Sequence, residues 1–126
     1  MIRHLSWACL LLPALAAQPL LADGIAPPPG YKPSKKIVRL FEAKCATCHG
    51  DDGRARTETG RDMALADMSK PSYWKDLTLE GARKSVLEGI KRTHKGVEQE
   101  MKPFADRLTP EQVDALVIYS SSLVKK

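Results

Sequence analysis

The sequence predicts an all-α domain of three to four helices joined by long loops. Three observations carry that expectation. Apolar residues recur at helical spacing in three separate segments, each with a capping residue at its start. Residues 50–76 hold Gly50, Gly53, Gly60, Pro71 and many charges, which suits loop better than regular structure. No segment shows a convincing alternation of apolar and polar residues, so no strand is expected.

The first helix should begin after Pro33 with Ser34 as its N-cap, and Ile37, Leu40 and Phe41 give it an apolar face. A short helix is expected around Met63–Met68. Thr78 can cap the next long helix, where Leu79, Ala82, Val86 and Ile90 recur at helical spacing. Gly89 and Gly96 then mark turns. The last helix is the best defined: Thr109 is the N-cap, Pro110 takes the first helical position and Gln112 completes a capping box. Val113, Leu116, Val117, Ser120, Leu123 and Val124 form its face.

Ahead of these elements lies a different kind of segment. Arg3 and His4 precede a nearly uncharged apolar run from Leu5 to Ala17, too short to span a bilayer and proportioned like a secretory signal peptide. Cleavage is expected after Ala16 or after Ala22, so residues 1–22 are read as the signal peptide. Residues 23–33 form a Pro-rich lead-in, with Pro27-Pro28-Pro29 unable to continue a helix. Residues 34–126 are the single domain. The 126-residue chain less 22 leaves 104 residues, a size at which a covalently held cofactor adds substantially to a modest core. Without Arg3, 19 basic side chains face 15 acidic ones, a net +4. That mild excess suits an acidic docking face on a partner protein and is too small to indicate nucleic acid. No stable membrane span is expected after the signal is removed.

The mature chain keeps two cysteines, in Cys45-Ala46-Thr47-Cys48-His49. This is the attachment motif for a c-type haem. Thiols three residues apart lie on neighbouring helical turns and reach two vinyl groups along one porphyrin edge. The imidazole of His49 follows immediately and can serve as the proximal axial ligand to iron. A redox dithiol would call for a βαβ setting, and a zinc site would call for a second Cys or His pair, neither of which the sequence offers. Met63, Met68, His94 and Met101 are the possible distal ligands. Met101 is the reading adopted: it stands in Met101-Lys102-Pro103-Phe104, just before the last helix, where Pro103 stiffens the loop and Phe104 can cover the haem edge. Packing accounts better for Met63 and Met68, and His94 lies in a solvated basic stretch.

On these residues the chain resembles the class I c-type cytochromes, the small monohaem electron carriers. The resemblance runs from about Ser34 to Leu123. It includes Phe41 four residues before Cys45, the CATCH motif followed by Gly50 and Gly53, Met101-x-Pro103-Phe104, and the closing segment LTPEQVDALVIYSSSL. It implies a cytochrome c fold wrapped around one covalent haem c with its iron, first and last helices that cross, and an aromatic pair at the crossing made by Phe41 and Tyr119. Two positions depart from the pattern. Ile37 stands where a small residue is common, and Glu58 or Thr59 stands where a proline carbonyl commonly receives the imidazole N–H. The expected function is periplasmic one-electron transfer between a donor and an acceptor protein, without enzymatic activity. The alternatives are a haem enzyme or gas sensor with a labile distal ligand, and a haem subunit of a larger oxidoreductase.

Overall fold

The computed structural model describes residues 24–125. The signal-peptide reading therefore falls outside the described residues. Helix α1 (Lys35–Lys44) starts where Ser34 Oγ accepts the Ile37 N–H at 3.2 Å. Its inward stripe is Ile37, Leu40 and Phe41, and Phe41 is 1% exposed. The chain turns at Cys45 into a single further turn, α2 (Ala46–His49), which Gly50 ends with φ of 76°. Two short helices follow, α3 (Glu58–Asp62) and α4 (Pro71–Trp74), and then the longer α5 (Leu79–Glu88). Thr78 caps α5 by accepting the Gly81 N–H. The last helix, α6 (Pro110–Ser121), carries the full capping box between Thr109 and Gln112.

The three long helices are those the sequence predicts, and they pack together. Phe41 meets Tyr119 edge to face, ring centroids 5.1 Å apart, at the α1–α6 crossing. Val113, Leu116 and Val117 of α6 join Phe41, Met68, Trp74 and Leu108 in one core. Arg83 on α5 grips Asp114 on α6 with two parallel bonds of 2.6 Å. Thr109→Ala removes the hydroxyl that accepts the Gln112 N–H, leaving the backbone N–H of residue 109 still donating to the Gln112 side chain, and is expected to cost about 1 kcal/mol. A thermal melt should then fall by roughly 4–8 °C.

Three expectations are corrected. Residues 90–101 form an antiparallel hairpin, β1 (Ile90–His94) and β2 (Val97–Met101), in a helical protein otherwise of the predicted class. Its two-residue turn, Lys95-Gly96, has positive φ at both positions, the geometry that matches the twist of paired strands. Second, the short helix lies at Glu58–Asp62 rather than Met63–Met68. Thr57 starts it early, accepting the Gly60 N–H, and Ala64 with φ of 47° breaks any continuation. Third, two helix faces are shorter than predicted: Ile90 leaves α5 for β1, and Leu123 and Val124 lie beyond the end of α6. The Pro-rich lead-in is tied to the domain, the Ile25 N–H donating to the Trp74 carbonyl and the Ile25 side chain entering the core at 7% exposed.

Candidate haem site

The CATCH segment is fixed from both sides. Upstream, the Cys45 N–H still donates to the Phe41 carbonyl, so the thiol is carried by the end of α1. Downstream, the Cys48 and His49 N–H groups both donate to the Cys45 carbonyl, which sets both thiols and the imidazole on one compact turn. That turn is anchored to α3. Thr57 Oγ1 donates to the Cys48 carbonyl at 2.8 Å while accepting the Gly60 N–H at 2.9 Å. Gly60 lies so close that a Cβ there would stand 2.7 Å from the Cys48 carbonyl oxygen and 2.3 Å from that of Ala55. Ala55, with φ of 55°, donates its N–H to the His49 carbonyl.

The electrostatics suit haem attachment. Burial, with the neighbouring Cys48 second, pushes the Cys45 thiol up to about 11. A reactive exchange thiol depends on a lowered pKa, so Cys45 is not the thiolate of an exchange site. Burial holds the His49 imidazole below its usual range, so it is neutral at physiological pH, the form that ligates metal. Its Nδ1 is buried with no hydrogen-bond partner among the described residues. The implied bond from the imidazole to a carbonyl at Glu58 or Thr59 is not made; both residues are taken into α3, where the Thr59 carbonyl accepts the Met63 N–H. An imidazole that is neutral, desolvated and untied by protein fits a ring whose orientation an iron ligand bond would set. Among the described residues, no group of three or more His, Cys, Asp or Glu side chains is placed to hold a metal ion.

The other proposed ligand positions separate clearly. Met68 is 5% exposed in the core, and its carbonyl accepts the Trp74 indole N–H at 2.7 Å. His94 is exposed near the tip of the hairpin. Met63 is half-buried after α3. Met101 ends β2, half-buried, on the same strand face as Val97 and Gln99, while Glu98 and Glu100 face solvent. Directly after it, the Phe104 and Ala105 N–H groups donate to the Val86 and Leu87 carbonyls at the end of α5. Arg107 lies over the Phe104 ring, 4.6 Å from its centroid. The sequence reading missed Thr57 and Gln99 and gave Gly60 and Gly89 only as loop and turn residues. Gly89, with φ of 79°, passes so close to the Met101 loop that a Cβ there would stand 2.6 Å from the Met101 carbonyl oxygen.

The fold and this attachment turn define a small monohaem domain of the c type. Comparison with known proteins agrees: the cytochrome c family model matches residues 34–123, and the chain belongs to that family. Its cofactor is accordingly a covalently bound haem c with iron, and Cys45, Cys48 and His49 fit the attachment motif. The chain is similar to the cbb3-type cytochrome c oxidase subunit FixP of Azorhizobium caulinodans, 32% identical over 96 residues. That match covers 75% of this chain and 29% of the relative, so the chain spans under a third of that protein's length. Among solved structures it is similar to the KustC0563 c-type cytochrome, with a TM-score of 0.57 and 27% identity over 70% of this chain and 96% of that one. A tyrosine-to-phenylalanine mutant of the same cytochrome matches with a TM-score of 0.56 and 29% identity, covering 69% of this chain and 96% of that one.

Proposed function

We propose that this electron-transfer haem protein is an exported, periplasmic carrier of single electrons, with Cys45 and Cys48 as the thioether attachments and His49 and Met101 as the axial ligands. The observation that carries it is the CATCH turn itself: two thiols and a neutral, desolvated imidazole on one turn, clamped to α3 through Thr57. When bound, the haem supplies a one-electron iron couple. The chain's own part is to hold that group rigidly, present two fixed ligands and exclude water. The placement of Met101 supports the distal assignment. It stands on the inward face of β2, in a loop secured by the carbonyls of α5, while Met68 is occupied in the core and His94 is exposed. No helix among the described residues is long and apolar enough to cross a membrane.

Met101→Ala tests the ligand set. The variant should keep its haem, lose the thioether-to-iron absorption band of the ferric protein, and show a lower reduction potential, because a thioether favours ferrous iron. It should also bind cyanide or carbon monoxide. Met63→Ala, Met68→Ala and His94→Ala should leave band and potential in place. An unchanged Met101 variant would assign the distal position to one of those three.

The partners in this reading are a donor and an acceptor protein with acidic docking faces, matched to the basic excess of the mature chain. Transfer rates should fall as salt rises and the Debye length shrinks to about 8 Å at physiological ionic strength. Rates indifferent to salt would point to an apolar docking face. The similarity to an oxidase subunit supports a second reading, a haem domain assembled with a larger oxidase. Co-purification of the chain with an oxidase from its native membranes would favour it; a chain found only free in the periplasmic fraction would favour the carrier.

A further inference from the structure

Gln99 is the one buried polar residue of the hairpin, 5% exposed, and its amide is fully engaged. Nε2 donates to the carbonyls of Met63 at 2.8 Å and Ala64 at 3.1 Å, and Oε1 accepts the Arg92 Nε–H at 2.9 Å from the directly paired position on β1. Two acceptors on one side and a donor on the other allow only one orientation of the amide. The second acceptor belongs to Ala64, which takes a left-handed φ of 47°, a conformation that costs an alanine about 1 kcal/mol or more. A leucine would fill the same space without burying an amide, so packing alone does not account for the residue. Its position does: Gln99 lies two residues before Met101 on the same face of β2.

We propose that Gln99 is a positioning residue for the Met101 thioether, latching the hairpin to the turn after α3 so that the sulfur stays in place whatever the strength of its bond to iron. The inference rests on the reading of Met101 as distal ligand and adds the device that holds it. Met101 is then gripped on both sides. Upstream, the Gln99 amide binds residues 63 and 64, which continue from the α3 helix that also clamps the CATCH turn. Downstream, the Phe104 and Ala105 N–H groups bind α5, and Gly89 leaves room for the Met101 carbonyl. An external ligand must displace the thioether, and with the latch closed it must also work against two part-buried hydrogen bonds.

The test is imidazole titration of the ferric, haem-loaded full chain, with the thioether-to-iron band followed in parallel. Gln99→Glu keeps the shape and the Arg92 pairing but turns a carboxylate oxygen toward two carbonyls. Gln99→Leu keeps the volume and loses all three bonds, which guards against a charge effect or a failure of the glutamate variant to fold. Both should retain haem, show a weakened band and bind imidazole about tenfold more tightly or better, the shift that corresponds to two ordinary hydrogen bonds. Ser34→Ala, which removes the cap of α1, should lower the melting temperature and leave imidazole affinity at the parent value. Met101→Ala should abolish the band. Parental affinity and band in a folded Gln99 variant, with the band lost in Met101→Ala, would overturn the latch alone. A band that survives Met101→Ala would overturn the ligand assignment beneath it.

Discussion

A chain in which Cys45 and Cys48 are both replaced by alanine is expected to accumulate without attached haem and to lose most of its helical circular dichroism. The described core is small: Ile25, Phe41, Met68, Trp74, Leu108, Val113, Leu116 and Val117 are its buried cluster. Around it, Leu40, Ala46, Tyr73, Phe104 and Tyr119 remain only partly buried. Fully burying one such apolar side chain contributes about 1.5–3 kcal/mol. Without the haem several of them forgo part of that gain, while net stability for a domain of this kind is only about 5–15 kcal/mol. The long stretch from Gly50 to Leu77 contains only two short helices and contributes Met68 and Trp74 to that buried cluster. Far-UV circular dichroism with a thermal melt checks this. A cooperative, native-like transition in the haem-free variant would show that the protein core suffices on its own.

Gly60→Ala is expected to have the next largest effect, although it places a better helix former inside α3. The propensity gain is at most about 1 kcal/mol. Against it stand two backbone oxygens, 2.3 Å and 2.7 Å from the new Cβ, belonging to Ala55 and to Cys48 itself. Neither oxygen can swing aside as a flexible side chain would, and overpacking of this kind costs about 1–3 kcal/mol or more. Relief requires α3 to move off the CATCH turn, which also stretches both hydrogen bonds of Thr57. The yield of haem-loaded protein should drop severalfold, and what forms should melt well below the parent. Thr57→Val tests the same clamp from the other side, removing the hydroxyl that bonds Cys48 and Gly60 while keeping the shape. A Gly60→Ala protein with parental yield and melting temperature would show that α3 does not brace the attachment turn.

How far the sequence revealed this arrangement differs by element. The long helices were legible because each announces its start with a side chain that satisfies an orphan N–H: Ser34, Thr78 and Thr109 all cap as expected. The Phe41–Tyr119 pair came from the family resemblance and is present. The hairpin was missed because neither strand alternates apolar with polar residues. Val97-Glu98-Gln99-Glu100-Met101 alternates in burial, but its most buried position holds the polar Gln99, and Lys91 to His94 of β1 is exposed throughout and carries no apolar signal. Lys95-Gly96 is a weaker turn signature than Asn-Gly, yet it adopts the same positive-φ pair. The attachment motif could be read directly because its chemistry is local. The clamp at Thr57 and Gly60 and the latch at Gln99 could not, because they depend on chain returns that bring Thr57 to Cys48, 9 residues away, and Gln99 to Met63, 36 residues away.

The most direct test of the central claim is a spectropotentiometric titration of the purified protein, with carbon monoxide added to the reduced form. A covalent haem held by His49 and Met101 for electron transfer predicts a single reversible one-electron transition. Both oxidation states should be six-coordinate, with the thioether band in the ferric spectrum and no carbon monoxide adduct at neutral pH. A reduced form that is five-coordinate and binds carbon monoxide readily would contradict it, and would mark an open iron site suited to catalysis or gas sensing.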